Sequence, residues 1–327
     1  MLRNLMIFSI ISSLFGCGSK DSAPGMFSAM GYHIGKTKVW HKSPGSGLQV
    51  YTVSELEGAD LETFKARTLV NKNGDSTTIG VDARSAFWGC KKINGADPAT
   101  LEFVAGPYFK DKNAAYYQQY RLSNDVEHFE AFGPFVRDAQ NVYFAGEVQS
   151  DDAPHFVRVG NDSSSYYKDS KFCWHFIYKI EGADPASFRQ LQGDYAADAH
   201  FVYSEMDRIE DADVKTFQIL ERNYTRDARH VFLKSLTIEG ADPASFRVVN
   251  DDLGLDARQC YFVGGVLSDA DPKTFKAIDR FYAKDAKHVW VNGNLIEGAD
   301  PATFEVLDGS AGRSKDGKYQ YNLEKRM

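Results

Sequence analysis

The chain has 327 residues, 43% of them hydrophobic and 25% charged, a balance that lets a chain bury a core and excludes a disordered one. Its formal net charge is -7 and it carries no long Lys or Arg run, so no nucleic acid is expected among its partners. Length alone leaves two average domains or one repeat array open, and internal periodicity is therefore the first test.

In chain order, the first element is "MLRNLMIFSIISSLFGCGSKDSAPG". Arg3 gives a positive start, and Leu5 to Phe15 form an apolar stretch of eleven residues, too short to span a bilayer as a helix but suited to a signal sequence. The stretch ends in Leu14-Phe15-Gly16-Cys17, which resembles the lipobox of bacterial lipoproteins, with Phe15 bulkier than the usual residue at that place. The resemblance implies that residues 1–16 are a signal peptide, that Cys17 carries the lipid and that 17–31 form a flexible tether. Several acyl chains would then hold the protein to a membrane. The expected location is the bacterial cell envelope, and Gly18 after the Cys is compatible with the outer membrane.

From residue 32 to 327 the sequence repeats. Aligning on the Asp of "GAD", with an aromatic residue or Leu four residues on, gives Asp60, Asp97, Asp125, Asp152, Asp184, Asp213, Asp242, Asp271 and Asp300. The last five are 29 residues apart. A second Asp, followed at plus four or five by Val and an aromatic residue, falls at Asp82, Asp111, Asp138, Asp169, Asp198, Asp227, Asp256, Asp285 and Asp316. An opening copy, "GKTKVWHK", is degenerate and is followed by the insertion "HKSPGSGLQVYTVSELEG", as terminal repeats commonly are.

One unit, from Tyr282, can be parsed physically. Val289 to Val291 predicts a short strand, Asn292-Gly293 a tight hairpin turn and Leu295-Ile296 the return strand. Gly298 permits a sharp turn, Asp300 caps the free N–H groups of a short helical turn and Pro301 occupies its first position. Phe304 points to the core, and Glu305 to Leu307 is a further extended segment. Asp285 opens a polar turn in which its side chain bonds its own backbone two residues on. The repeated Asp residues, Asp97, Asp184, Asp242, Asp271 and Asp300 in the first set and Asp138, Asp198, Asp227, Asp256 and Asp285 in the second, are thus expected to be structural. Trp40, Trp88, Trp174 and Trp290 fall where Tyr143, Tyr203 and Phe232 stand in other copies and are expected to stack between neighbouring units. Cys173 and Cys260 replace Val in the motif and read as small buried apolar residues. Cys90, Cys173 and Cys260 allow at most one disulfide among themselves.

"KDKNAAYY" at Lys110, "RDAQNVYF" at Arg137 and "KDAKHVW" at Lys284, each followed by a "GAD" segment or its variant, resemble the DKNYY family of repeat-containing bacterial proteins. The similarity runs from about Tyr32 to Tyr321 and implies no activity.

Nucleophile elbows, H-E-x-x-H, P-loops and dinucleotide Gly fingerprints have no credible counterpart, so no catalytic residue, metal site or cofactor is assigned. His200, His230 and His288 read as polar turn residues. Calcium ligands could come from "NKNGDS" at Asn71, "EDAD" at Glu210 or "NDD" at Asn250, and exposed aromatic residues could stack on glycans. The expected architecture is an all-β array of about nine to ten units, each a hairpin plus one further extended segment with a short helical turn. Because 29 residues is short for a four-stranded blade, an open stack or solenoid is favoured over a closed, propeller-like ring. The expected function is a non-enzymatic, lipid-anchored interaction or scaffold module contacting an envelope protein or polymer. The alternatives are a calcium- or glycan-binding module, or an envelope hydrolase whose site would lie between His33 and Asp82.

Overall fold

A computed structural model describes residues 30–45, 51–221, 223–308 and 312–327. They form ten antiparallel sheets, the first three-stranded (Gly31–Ile34, Val39–Pro44, Tyr51–Glu55) and the other nine four-stranded. In each sheet the strands lie in chain order, as a meander, and no sheet closes on itself. The chain is an all-β repeat protein. It divides into two compact units, one ending at Phe156 and the other starting at Val157.

Each repeat holds one strand more than the hairpin and single extended segment expected. In the sheet ending the chain, the region read as one segment is two strands, Glu305–Asp308 and Arg313–Lys315, which pair antiparallel. Twenty-nine residues accommodate four strands because most strands have two to four residues and the connections are equally short. The expected hairpin is present, with Trp290 opposite Leu295 and Val291 opposite Asn294.

The short helical turns are present as single turns, with the Asp300 side chain accepting the Ala302 N–H at 2.9 Å. At Asp97, Asp184, Asp213, Asp242 and Asp300 the chain makes a single hydrogen-bonded turn, such as Thr303 N–H to the Asp300 carbonyl at 3.3 Å, and then extends into the next sheet. Among the described residues Ala153–His155 is the one 3-10 helix. The Phe that follows each turn is needed in the core immediately, which leaves no room for a second helical turn.

That Phe sets the packing. Phe188 lies between Tyr166 of the preceding sheet, at 5.6 Å between ring centroids, and Tyr203 of its own, at 5.8 Å. Phe246 lies in the same way between Tyr224 and Tyr261, at 5.5 and 6.0 Å. The expected aromatic stacking between units is therefore mediated by the linker Phe, at separations where aromatic pairs attract. Phe109, Val136 and Tyr167 fill the middle of the second strand in three sheets, but in the four sheets that follow the ring covers a small residue there. Ala196, Thr225 and Ala283 stand there, and at Gly254 an added Cβ would come within 2.3 Å of the Phe246 ring.

The turn between third and fourth strands puts its first residue at positive φ even where that residue is bulky, as at Phe176 (φ 59°) and Val263 (φ 48°). A left-handed conformation costs such a residue about 1–2 kcal/mol. It is offset by hydrogen bonds from the same residue: Phe176 N–H to the Ser165 carbonyl at 2.6 Å, and Val263 N–H to the Asp252 carbonyl at 2.7 Å.

Two outcomes follow from this packing. Gly254→Val should lower stability by about 1–3 kcal/mol, as overpacking does, and a chemical melt with an unchanged midpoint would contradict the ring contact. Deleting residues 227–255 joins Arg226 to Asp256 in the register that Arg226 and Asp227 had, so the shortened protein should keep its β-sheet circular dichroism and melt cooperatively. Loss of that signal would show that units do not depend on their neighbours alone.

Candidate functional site

The two sets of repeated Asp residues meet. At one representative junction the Asp256 carboxylate sits in the turn between the second and third strands, Leu253–Leu255 and Cys260–Phe262, of its sheet. Its Oδ1 accepts the N–H groups of Arg258 at 2.7 Å and Gln259 at 2.8 Å. Its Oδ2 accepts the Asp242 N–H at 2.9 Å and the Tyr261 hydroxyl at 2.8 Å. Four donors thus converge on one side chain that is 1% exposed. Asp242, on the linker from the preceding sheet, in turn accepts the Ala244 N–H at 3.2 Å, and the neighbouring Ser245 Oγ accepts the Ala257 N–H at 3.2 Å. Linker and turn are latched in both directions.

The same bond, from the N–H of the linker Asp to the buried carboxylate, joins Asp97 to Asp111 at 2.6 Å, Asp184 to Asp198 at 3.0 Å, Asp213 to Asp227 at 2.8 Å, Asp271 to Asp285 at 2.9 Å and Asp300 to Asp316 at 3.0 Å. It even joins Asp60 to Asp82 at 3.0 Å, across the longer hairpin of Lys65–Val70 and Ser76–Val81. The preceding sheet grips the linker from the other side. Lys168 Nζ reaches the Pro185 carbonyl at 2.7 Å, Arg226 Nη1 that of Pro243 at 2.6 Å and Lys284 Nζ that of Pro301 at 2.5 Å. At these three junctions the basic residue before the latch Asp thereby satisfies a carbonyl left open at the end of the linker turn.

Two junctions use different chemistry. At Asp125 the linker N–H goes to Ser123 Oγ at 3.1 Å, and Ser123 hydroxyl donates to Asp138 Oδ2 at 2.6 Å, so a serine is inserted into the latch. His128 replaces the Ser or Thr of other linkers, and its Nδ1 lies 2.9 Å from Asp125 Oδ1. At Asp152, His155 Nδ1 lies 2.6 Å from Asp152 Oδ1, and the Asp152 N–H meets Ser150 Oγ at 3.1 Å. The serine relay escaped the sequence reading. Its signal was available: Ser123 and Ser150 stand where "GAD" has Gly, in the two copies that also carry His at plus three.

Burial alone would raise the carboxyls of Asp198, Asp227, Asp256 and Asp285, but the converging backbone N–H donors outweigh it and hold all four below the usual carboxylate range. Burial and the neighbouring carboxylate push the partner phenols the other way, Tyr116 and Tyr321 up to about 12. The ionised carboxylate is the form that accepts every one of these bonds. Cys173 and Cys260 are buried free thiols, pushed up to about 12 chiefly by burial, as their apolar reading requires.

The candidate calcium ligands have other partners. Asn71 Oδ1 accepts the N–H groups of Asn73 and Asp75 at 3.0 and 2.9 Å, Glu210 pairs with Arg208, and Asn250 Oδ1 accepts the N–H groups of Asp252 and Leu253 at 2.9 and 2.8 Å. Among the described residues no three His, Cys, Asp or Glu side chains are arranged to hold a metal ion. The imidazoles of His230 and His288 lie against Phe232 and Trp290, with ring centroids 5.9 and 5.6 Å apart, while the backbone N–H groups of the two residues bond the latch carboxylates. Between His33 and Asp82 the described chain is the three-stranded sheet, the first latch and the longer hairpin. Cys17 lies outside the described residues.

Removing a latch carboxylate leaves four donors without their acceptor. Asp256→Ala should cost about 3 kcal/mol, and clearly more than Asp242→Ala, whose carboxylate is the more exposed partner; equal melting midpoints for the two would contradict the latch. Because the folded pKa values lie below the unfolded value of about 4, the unfolded chain binds more protons in the window between them. The melting temperature should therefore hold steady down to about pH 5 and fall as pH drops through and below 4. A melting temperature that stays flat to pH 2 would show that the carboxylates are not held ionised.

Comparison with known proteins gives one match. No curated protein and no solved structure matches the chain. The model of the DKNYY family matches residues 32–200 and again 195–325, nearly all of the described chain. With the two Asp landmarks and their latches in register over the same span, the chain belongs to the DKNYY family.

Proposed function

We propose that this DKNYY protein is a non-enzymatic module of the bacterial cell envelope, tethered to the membrane through a lipid on Cys17, which contacts an envelope protein or polymer with its repeat surface. The observation that carries this reading is the internal saturation of the repeated polar groups. Asp198, Asp227, Asp256 and Asp285 point inward and bond the chain's own amides, so the motif that recurs is accounted for by folding. What differs between copies is the side chain at the exposed tips of the turns, where a repeat array meets its partners.

The tether is supported by the lipobox-like ending of the apolar N-terminal stretch. Cys17→Ser should prevent incorporation of labelled palmitate and move the protein out of the membrane fraction. A mutant that stays with membranes and still takes up label would overturn the anchor. The sulfur of Cys17 can hold a thioether-linked lipid or a disulfide, not both. The intact mass of the mature wild-type chain should accordingly show added acyl mass that survives reduction.

A further inference from the structure

We infer that the latch-side rim of the unit from Val157 onward is a docking surface for an extended acidic polysaccharide that carries negative charges at intervals. This rests on the reading of the protein as a polymer-contacting module and names the polymer class. The second residue after each latch Asp is Lys171, His200, Arg229, Arg258, Lys287 and Lys318 in successive sheets, all exposed. The backbone of this position is fixed, because its own N–H is bound to the latch carboxylate: Arg229 to Asp227, Arg258 to Asp256, Lys287 to Asp285 and Lys318 to Asp316, each at 2.7 Å. The side chains therefore leave equivalent rigid turns, one per sheet, and the row exists before any ligand arrives. Preorganised contacts of this kind lose little entropy on binding.

Cations on the fourth strands extend the row. Lys179 Nζ lies 3.5 Å from the centroid of the Phe172 ring, and the guanidinium of Arg326 lies 3.3 Å from that of Tyr319, while Arg208, over Phe201, is already paired with Glu210. Each ring belongs to the residue next to one of the row. Cation and ring side by side suit a carboxylated sugar, which offers a charge and an apolar ring face.

The charge pattern selects the polymer. Glu181, Asp211, Glu239, Asp269 and Glu297 stand exposed on the linkers of the same rim, so the cations are separate points among acids and not a continuous positive field. Packed sheets lie about 10 Å apart, a spacing that favours a chain with separated carboxylates over the dense phosphates of a nucleic acid. At the opposite ends of the strands Asp194, Glu205 and Glu221 outnumber Lys234, and Asp252 is paired with Arg280 at 3.3 Å, so that side is the less favourable one for a polyanion.

The test uses the full chain in detergent and fluorescently labelled hyaluronan oligosaccharides, which carry one carboxylate per disaccharide. Anisotropy should show saturable binding that weakens as salt rises. The triple variant Arg229→Glu, Arg258→Glu, Lys287→Glu should bind about tenfold or more weakly at an unchanged melting temperature, and Lys234→Glu, at the opposite ends of the strands, should not weaken binding. Absence of saturable wild-type binding, or equal affinity in the triple variant, would overturn the inference. Tighter binding of duplex DNA or of phosphatidylglycerol vesicles would overturn the choice of polysaccharide. Any of these failures leaves the lipid anchor standing, since palmitate labelling tests it separately.

Discussion

A carboxylate buried at a turn and saturated by donors from two directions is the constraint on which this structure depends. A lone buried charge would be costly, and an Asp at 1% exposure, such as Asp256, is tolerable only because amides and a phenol replace the water it loses. Since one of those amides belongs to the linker from the preceding sheet, satisfying the charge also fixes where one repeat sits on the next. The Asp of the linker, its Ser or Thr and the basic residue of the preceding sheet complete a clasp around a turn too short to be held by helix formation.

The other regularities follow from this clasp. Once the linker is fixed, its Phe enters between the aromatic residues of two sheets, and in the later sheets the second strand beneath it carries a small residue, Gly at 254 and Ala at 196 and 283. The buried face of the repeat leaves little freedom. The tips of the same turns are rigid and exposed, and there the side chains differ from copy to copy, from Asn113 and Gln140 to the basic residues of the later sheets. Interior order and surface diversity thus come from one interaction, in which the residue that varies is anchored through its backbone while its side chain stays available.

Much of this was legible in the sequence, and the reason lies in particular residues. Equal spacing of Asp184, Asp213, Asp242, Asp271 and Asp300 announced a repeat, Asn292-Gly293 announced a hairpin, and Asp-Pro announced a turn. The pairing of the two Asp sets was not legible, because the partner of each linker Asp lies in the following sheet, across two strands, and local turn chemistry describes each Asp separately. The fourth strand was hidden because two or three residues show no alternation. The positive φ of Phe176 and Val263 carried no sequence signal, since tertiary hydrogen bonds impose it on residues that do not prefer it. The serine relay at Ser123 was readable only once the role of the Gly it replaces was known.

The decisive property of the molecule is whether its linker amides are held by the buried carboxylates in solution. Native-state hydrogen exchange, read residue by residue, measures this directly. The Asp242, Arg258 and Gln259 amides lie in turns, yet if Asp256 binds them they should exchange as slowly as the strand amides of Cys260–Phe262, opening only with global unfolding. Exchange of these three amides at the rate of an exposed loop, while the strand amides remain protected, would contradict the central claim.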